Sequence, residues 1–344
     1  MSVRVPDRAK VAFWNQNLSP YMGPETRKSL VQLVISTGLF VLLWALAYRA
    51  LDVGYWLTLL LAVPTAGFLM RLFMIQHDCG HGSFFRSRKA RDTVGFWIGV
   101  LTLTPYAYWR KTHAYHHAHS GDLDHRGFGD IDTLTVKEYL ALSRAGRFWY
   151  RLYRNPLFLF GIGATLHFVF VHRYPWTTPR EWKGAWRSVW LTNLALAGIV
   201  SAMALTIGLK AFLLVHVPVI LVTCSTGVWL FYVQHQFENT YWHRQDDWDY
   251  YDAALEGSSF LVLPKPLQWL TANIGIHHVH HLNARIPNYR LEEAMKGVKE
   301  LQNPTRVTIL DSLALVRLAL WDEEKERLVR FRDLRKRTRT RMAA

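Results

Sequence analysis

Four long apolar runs constrain what this 344-residue chain can fold into more than any other feature of its sequence. A helix needs roughly 20 apolar residues to cross the hydrocarbon core of a bilayer, and such a helix satisfies its backbone hydrogen bonds internally. Short turns near Asp52 and at Lys210 join the runs in pairs. We therefore predict four transmembrane helices in two hairpins, at about residues 30–47, 55–75, 188–209 and 211–233.

Histidines are grouped three times along the more polar remainder of the chain. Within each group the later histidines stand three or four residues after the first one, and this spacing places side chains on one face of a helix. A neutral imidazole offers a lone pair to iron, copper or zinc without adding charge. The groups are His77 and His81, then His113, His116 and His117, then His277, His280 and His281. Eight ligands exceed the four that close a tetrahedral zinc site, so the count favours two metal ions.

Two residues beside these groups are expected to have other roles. His278 adjoins the third group but would point about 100° away from His277 on a helix, so we expect it to lie outside the site. Cys79 lies within the first group, where we expect a small packed side chain and not a ligand. Cys224 lies within an apolar run, and two cysteines so placed do not indicate a disulfide framework.

The second apolar run leads directly into the first histidine group, which should therefore lie just beyond a membrane surface. Basic residues cluster on the same side, namely Arg27, Lys28, Arg86, Arg88, Lys89 and Arg91. The opposite turn carries only Arg49, so the positive-inside rule assigns the histidine side to the cytoplasm. We expect residues 77–187 and 235–344 to form a cytosolic cap, and residues 1–344 to be a single domain.

Two shorter apolar segments are not expected to cross the membrane. Val94–Tyr106 is only about 13 residues long, a length more typical of an interfacial or buried segment. Pro156–His172 is nearly long enough, but if it crossed, the third histidine group would lie on the opposite side from the other two. The predicted fold class is thus an all-α membrane protein with four transmembrane helices, interfacial helices and a helical cytosolic cap that carries a di-metal site.

The stretches HDCGHGSFF, HAYHH and HHVHH resemble the three histidine boxes of the integral-membrane fatty acid desaturases. HDCGHGSFF and HHVHHLNARIPNYRL are most similar to bacterial acyl-lipid desaturases, and the resemblance covers about residues 70–290. It implies that the eight box histidines bind two iron ions, with dioxygen as co-substrate, and that the enzyme introduces a double bond into a lipid acyl chain. His235 is expected to be a ninth ligand, because it follows the fourth apolar run, where the family commonly supplies an extra histidine.

The polar segments after the histidines carry further expectations. Carboxylates at Asp122, Asp124, Asp130 and Asp132 are candidates to orient the ligand imidazoles from behind. Residues 289–344 are expected to form soluble helices that end in a basic tail between Lys325 and Arg341.

Charge and the absence of certain motifs indicate the partners. The formal net charge of +15 suits anionic lipid headgroups, and no recognition motif accompanies it, so nucleic acid is not expected. We find no Gly-rich dinucleotide fingerprint and no haem-binding segment, so the electrons are expected to come from a separate ferredoxin-like or small haem protein.

Three other classes of protein fit part of the pattern. A membrane diiron hydroxylase acting on an alkyl, lipid or carotenoid substrate would use the same ligands, and only product analysis separates it from a desaturase. A metalloprotease is suggested by the two-histidine spacing of HDCGH, but Asp78 stands at the base position and six histidines would remain unexplained. A non-enzymatic metal transporter would place its ligands near the bilayer midplane, whereas these lie at and beyond the ends of the apolar runs.

Overall fold

The computed structural model describes residues 8–176 and 178–334, and helices dominate this part of the chain. The α-helices are α1 Arg8–Leu18, α2 Thr26–Arg49, α3 Tyr55–His81, α4 Arg88–Leu101, α5 Tyr106–His119, α6 Val136–Ala141, α7 Arg144–Tyr153, α8 Ala164–Val169, α9 Lys183–Thr206, α10 Leu209–His235, α11 Tyr250–Glu256, α12 Lys265–Leu270, α13 His277–Leu282, α14 Leu291–Gly297 and α15 Ile309–Leu315. The strands are β1 Leu134–Thr135, β2 Phe260–Val262, β3 Arg306–Thr308, β4 Leu320–Asp322 and β5 Arg327–Val329.

Four helices of the described part, α2, α3, α9 and α10, are long and apolar enough to cross a membrane. They confirm the four predicted helices and the predicted all-α class. Two of them continue beyond the apolar runs into the histidines, α3 as far as His81 and α10 as far as His235. The reason is that backbone hydrogen bonding continues regular helix through polar residues as readily as through apolar ones.

Helix α3 is the most buried of the four and packs against α2, α4 and α10. Leu69, Leu72 and Ile75 on α3 form a common apolar core with Val219 and Ile220 on α10. Because α3 ends in the first histidine group, this core fixes the position of that group relative to the end of α10.

The segment predicted as interfacial, 94–106, is divided between two helices, and neither is among the helices long enough to cross a membrane. Helix α4 ends at Leu101, and α5 begins at Tyr106 after a tight turn. A Cβ atom on Gly99 would lie only 2.5 Å from the carbonyl oxygen of Thr104, so only glycine allows the backbone to approach this closely. The turn sets the start of α5, which carries the second histidine group.

The other ambiguous segment, 156–172, is not one continuous helix. It consists of a π-helical stretch at Phe158–Gly163, then α8, then a 3₁₀ turn at Val171–Arg173. The segment is bent by 69° relative to α7. By length and composition, α7 and this segment would add a fifth membrane crossing only if they spanned the membrane together as one unit.

The expectation of helices throughout 289–344 is wrong. Strands β4 and β5 pair antiparallel, with Trp321 opposite Leu328, and β4 also pairs parallel with β1. Strands β2 and β3 form a second, parallel pair. Each of these strands has two or three residues, which is too short to produce a recognisable alternation in the sequence. Residues 335–344 of the basic tail lie outside the described residues.

Candidate metal centre

The first histidine pair lies on the last turn of α3. Gly82 ends this helix in the left-handed conformation, with φ of 80°, and the amide of Ser83 donates to the carbonyl oxygen of Asp78 at 3.0 Å. This closing arrangement is typical of a helix that stops at a glycine. The sequence HDCGHG thus places His77 and His81 at the free end of a transmembrane helix, where other segments reach them.

Two further helices bring the remaining boxes to this end. Helix α5 carries His113 and His117 one turn apart on one face, with His116 beside them. Helix α13 consists of six residues that are all buried, and it carries the third box. His235 is the last residue of α10 and is buried as well.

The side chains converge in two adjacent groups. In the first, the ligand atoms of five histidines lie within 4.8 Å of one another, and in the second those of three histidines do so. The first group is His77, His81, His113, His117 and His280, and the second is His116, His235 and His281. The imidazole rings of His117 and His281 stack at 4.1 Å between centroids, so the two groups are in direct contact.

Within each group the Nε2 atoms point at one another. In the first group, the Nε2 atom of His117 lies 3.1 Å from that of His113 and 3.1 Å from that of His280. In the second group, the Nε2 atom of His116 lies 3.2 Å from that of His235 and 3.3 Å from that of His281.

His277 lies at the edge of the second group. Its Nε2 atom is 2.9 Å from the Nε2 atom of His235, whereas its Nδ1 atom is buried without a hydrogen-bond partner. All eight box histidines and His235 are therefore brought together at one place.

The Nδ1 atoms of three of these histidines contact acceptors behind them. His77 contacts the carboxylate of Asp78 at 3.1 Å, His116 contacts the carboxylate of Asp130, and His235 contacts the carbonyl oxygen of Gly257 at 3.1 Å. An acceptor on this side favours the tautomer with hydrogen on Nδ1, which leaves the Nε2 lone pair directed into the group.

Burial favours the uncharged form of four box histidines. It lowers the pKa of His113, His117 and His280 well below the ordinary value of 6.5, because a charged ring would lose its water. The pKa of His281 is lowered in the same way. Neutral rings with lone pairs facing one another repel unless a proton or a cation lies between them.

The donor set fits two metal ions of the kind that imidazole prefers. The Nε2 atom of His81 is buried without any hydrogen-bond partner, as expected of a ligand atom. Nitrogen donors suit iron, copper and zinc, and nine of them exceed the needs of one tetrahedral zinc. Cys79 is buried but belongs to neither group, so the described residues offer no thiolate to this centre.

Of the four aspartates proposed to orient ligands, only Asp130 contacts a box histidine. Asp122 accepts from His125, which lies outside the boxes, and Asp124 pairs with Arg244. The backbone of Asp132 contacts Tyr153, Tyr150 and Arg154.

Sequence reasoning did not assign Asp78 and Asn288 to the site. Asn288 donates to Asp78 from its backbone amide at 2.9 Å and from its side chain at 2.8 Å, which holds the carboxylate against His77. An aspartate directly after a box histidine was the available signal.

Two other histidines lie away from the centre. The Nε2 atom of His278 lies 3.1 Å from the carbonyl oxygen of Leu301, so its side chain points away from both groups, as the helical spacing predicted. His216 stacks on Phe212 near the start of α10, roughly 28 Å from His235 at about 1.5 Å per residue.

Fold and site together define a helical membrane protein with a polyhistidine centre able to ligate two metal ions. A profile of the fatty acid desaturases matches residues 53–311. The chain is 47% identical over 324 residues to a fatty acid desaturase of Bacillus subtilis, covering 93% of this chain and 90% of that protein. It is 27% identical over 286 residues to the sn-1 acyl-lipid omega-3 desaturase (ferredoxin) of Synechocystis, covering 81% and 77%. The chain belongs to the fatty acid desaturase family and is an oxidoreductase of that family.

Proposed function

We propose that this desaturase introduces a double bond into the acyl chain of a membrane lipid at a diiron centre held by nine histidines. The observation that carries the proposal is the convergence of buried Nε2 atoms in two adjacent groups. In the balanced reaction, two neighbouring methylenes each lose one hydrogen, one dioxygen takes up these hydrogens with two electrons and two protons, and two waters form.

The proposed ligands are His77, His81, His113, His116, His117, His235, His277, His280 and His281. The irons would supply the oxidising power, since no side chain can remove hydrogen from an unactivated methylene. Burial favours the neutral form of His113, His117, His280 and His281. Asp78, Asp130 and the carbonyl of Gly257 fix the rings of three further ligands. Burial also excludes bulk water from the place where the acyl chain reacts.

The position of the centre supports a lipid substrate. It lies at the ends of α3 and α10, two helices that are long and apolar enough to cross a membrane. The acyl chain of a lipid would therefore reach the metals from the membrane without crossing bulk water. The Synechocystis relative is by its name a desaturase that acts on an acyl-lipid.

We propose that the centre faces the cytoplasm. Helices α3 and α10 both end at the metal centre. If each helical hairpin crosses the membrane completely, the segment between α3 and α9 therefore starts and finishes on the same side of the membrane. The basic residues after His81, including Arg86 and Arg88, favour the cytoplasmic side.

A separate protein would supply the electrons. The Synechocystis relative is named with ferredoxin, and ferredoxin-like or small haem proteins are the donors we propose. Their acidic surfaces would complement a chain of net charge +15, which also suits anionic lipids.

The test is expression in a host whose fatty acids are defined and saturated. Mass spectrometry should locate one new double bond in the lipid acyl chains, and it should be absent when His117→Ala replaces the wild type. A hydroxylated chain as the only product would reject desaturation and identify a hydroxylase with the same ligands.

A further inference from the structure

A buried arginine, Arg154, follows α7 directly, and only 3% of this residue is exposed. No carboxylate of the described residues forms an ion pair with it, so neutral hydrogen-bond acceptors alone compensate its charge. Its Nε atom is buried without a hydrogen-bond partner in this part of the chain. Burying a guanidinium in this way is costly. The groups that its other donors bind therefore indicate why an arginine stands here.

The guanidinium binds the segment that carries Asp130. Its Nη1 atom donates to the backbone carbonyl of Asp132 at 3.1 Å and to the hydroxyl oxygen of Thr133 at 3.2 Å. Both residues lie within three positions of Asp130, whose carboxylate contacts the Nδ1 atom of His116. Arg154 therefore fixes the stretch of backbone that holds Asp130 behind His116.

The same guanidinium binds the end of α10. Its Nη2 atom donates to the side-chain oxygen of Gln236 at 2.9 Å and to the hydroxyl oxygen of Tyr232 at 3.4 Å. Gln236 directly follows His235, the last residue of α10, and its backbone amide donates to the carbonyl oxygen of Tyr232 at 2.7 Å. Backbone and side chain of Gln236 are thus both held beside the ligand candidate His235.

A third segment, just before β4, completes the set of acceptors. The Nη2 atom of Arg154 donates to the carbonyl oxygen of Leu318 at 2.9 Å, and the hydroxyl of Tyr232 donates to the same carbonyl. One side chain therefore joins residues 132–133, the end of α10 and residue 318. A guanidinium can do this because it presents five donors in one rigid plane, whereas the ammonium of a lysine is a compact point charge.

The segments that Arg154 joins support the second histidine group and carry no histidine of the first. Through Asp130 they hold His116, and through Gln236 they hold His235, whose Nε2 atoms lie 3.2 Å apart. We infer that Arg154 is a positioning residue of the second group, which sets the spacing of His116 and His235 and so the metal affinity of that group. The inference rests on the proposed function, since it takes this group to hold one of the two irons.

The test measures metal affinity apart from turnover. Full-length protein freed of metal would be titrated with Co²⁺, a divalent ion that nitrogen ligands bind, and followed by its absorption. Two backgrounds separate the groups, since His117→Ala removes a donor of the first group and His281→Ala one of the second. With His117→Ala, Arg154→Gln should weaken Co²⁺ binding by about tenfold, whereas with His281→Ala binding should change by less than about twofold.

Arg71→Gln is the matched control, because Arg71 is also buried, at 5% exposure, and also has neutral partners. Its Nε and Nη1 atoms donate to the hydroxyl of Ser36 and the carbonyl of Trp269. A general loss of stability should therefore appear in both arginine variants, but selective weakening of the second group only in Arg154→Gln. Equal weakening of the two groups in Arg154→Gln, or an unchanged second group, would overturn the inference.

A second variant keeps the test decisive if Arg154→Gln does not fold. Gln236→Leu removes the acceptor beside His235 but leaves the acceptors at Asp132 and Leu318 in place. It should weaken the second group selectively in the same two backgrounds, and wild-type affinity there would equally reject the role of Arg154.

The same experiment separates the two proposals. Selective weakening of the second group in a protein whose wild type forms no double bond in any lipid would reject the proposed function and retain the role of Arg154. A wild type that desaturates lipids, while Arg154→Gln binds Co²⁺ normally at the second group, would retain the function and reject that role.

Discussion

Asp130 acts on the metal centre only through His116, the single box histidine that it contacts. In Asp130→Ala the Nδ1 atom of His116 loses its acceptor, so the ring loses both its tautomer preference and its fixed orientation. We expect metal affinity of the second group or activity to fall by about 10- to 100-fold. Iron analysis and turnover of the purified variant measure this. Asp124→Ala is the control, because Asp124 lies in the same segment but pairs with Arg244 at the surface; an equal loss there would reject a specific role for Asp130.

His235 is outside the three boxes, yet its Nε2 atom lies between those of His116 and His277. His235→Ala should reduce iron content from about two to about one ion per chain, because the second group would lose a central donor. His278→Ala is the matched variant, because His278 directly follows the ligand candidate His277 and is buried as well. It should retain its iron and cost about 1–3 kcal/mol of stability, because the carbonyl of Leu301 loses its partner. Full iron in His235→Ala would show that the box histidines suffice.

That the box histidines come together was readable from the sequence, but their grouping was not. Spacing along one helix predicts which side chains share a face, and it placed His278 correctly. Which histidines share a metal depends on how α3, α5 and α13 meet. Thus His116 lies with His235 and His281, whereas its box neighbours His113 and His117 lie with the first group.

At the scale of elements, the turn between α4 and α5 is a connection that is sensitive to a single added methyl group. Gly99→Ala forces a methyl group against the carbonyl oxygen of Thr104, and we expect it to destabilise the protein by about 1–3 kcal/mol. Activity should fall too, because the turn positions the second box. Gly198→Ala on α9 is the control, since a Cβ atom there meets nothing within 4 Å. Thermal unfolding in detergent compares the two variants. Equal midpoint temperatures would show that the backbone of the turn shifts to accommodate the added methyl group.

The elements were predictable in proportion to their length. Apolar runs identified α2, α3, α9 and α10 because about 20 apolar residues have few other uses. The ends were less accurate, since α3 and α10 continue through polar residues to His81 and His235. The hairpin of β4 and β5 was missed because its strands have only three residues each, and the pairing of β4 with β1 was missed because it joins residues far apart in sequence. A deletion meant to test the basic tail should therefore begin at residue 335, because one beginning at Lys325 would remove β5.

At the scale of the whole molecule, topology is testable with single cysteines in a background where Cys79 and Cys224 are alanine. Cysteines at Arg88, Arg180 and Lys296 should react only when a membrane-impermeant reagent reaches the cytoplasm. Cysteines at Asp52 and Lys210 should react from outside. The bent pair of α7 with 158–173 precedes Arg180, so external labelling at Arg180 would show that the pair crosses and that the four-helix topology is wrong.

The number and kind of metal ions belong to the molecule as a whole, because three boxes and α10 build the centre together. We expect close to two irons per chain, measured by elemental analysis of the purified protein. His117 and His281 stack on each other but belong to different groups, so they form a matched pair. His117→Ala should lose iron from the first group and His281→Ala from the second, each retaining about one ion, and both should abolish turnover. Mössbauer spectra of the two variants should then differ, since the remaining iron has different neighbours in each. Stoichiometric zinc in an active, iron-free protein would reject the diiron centre.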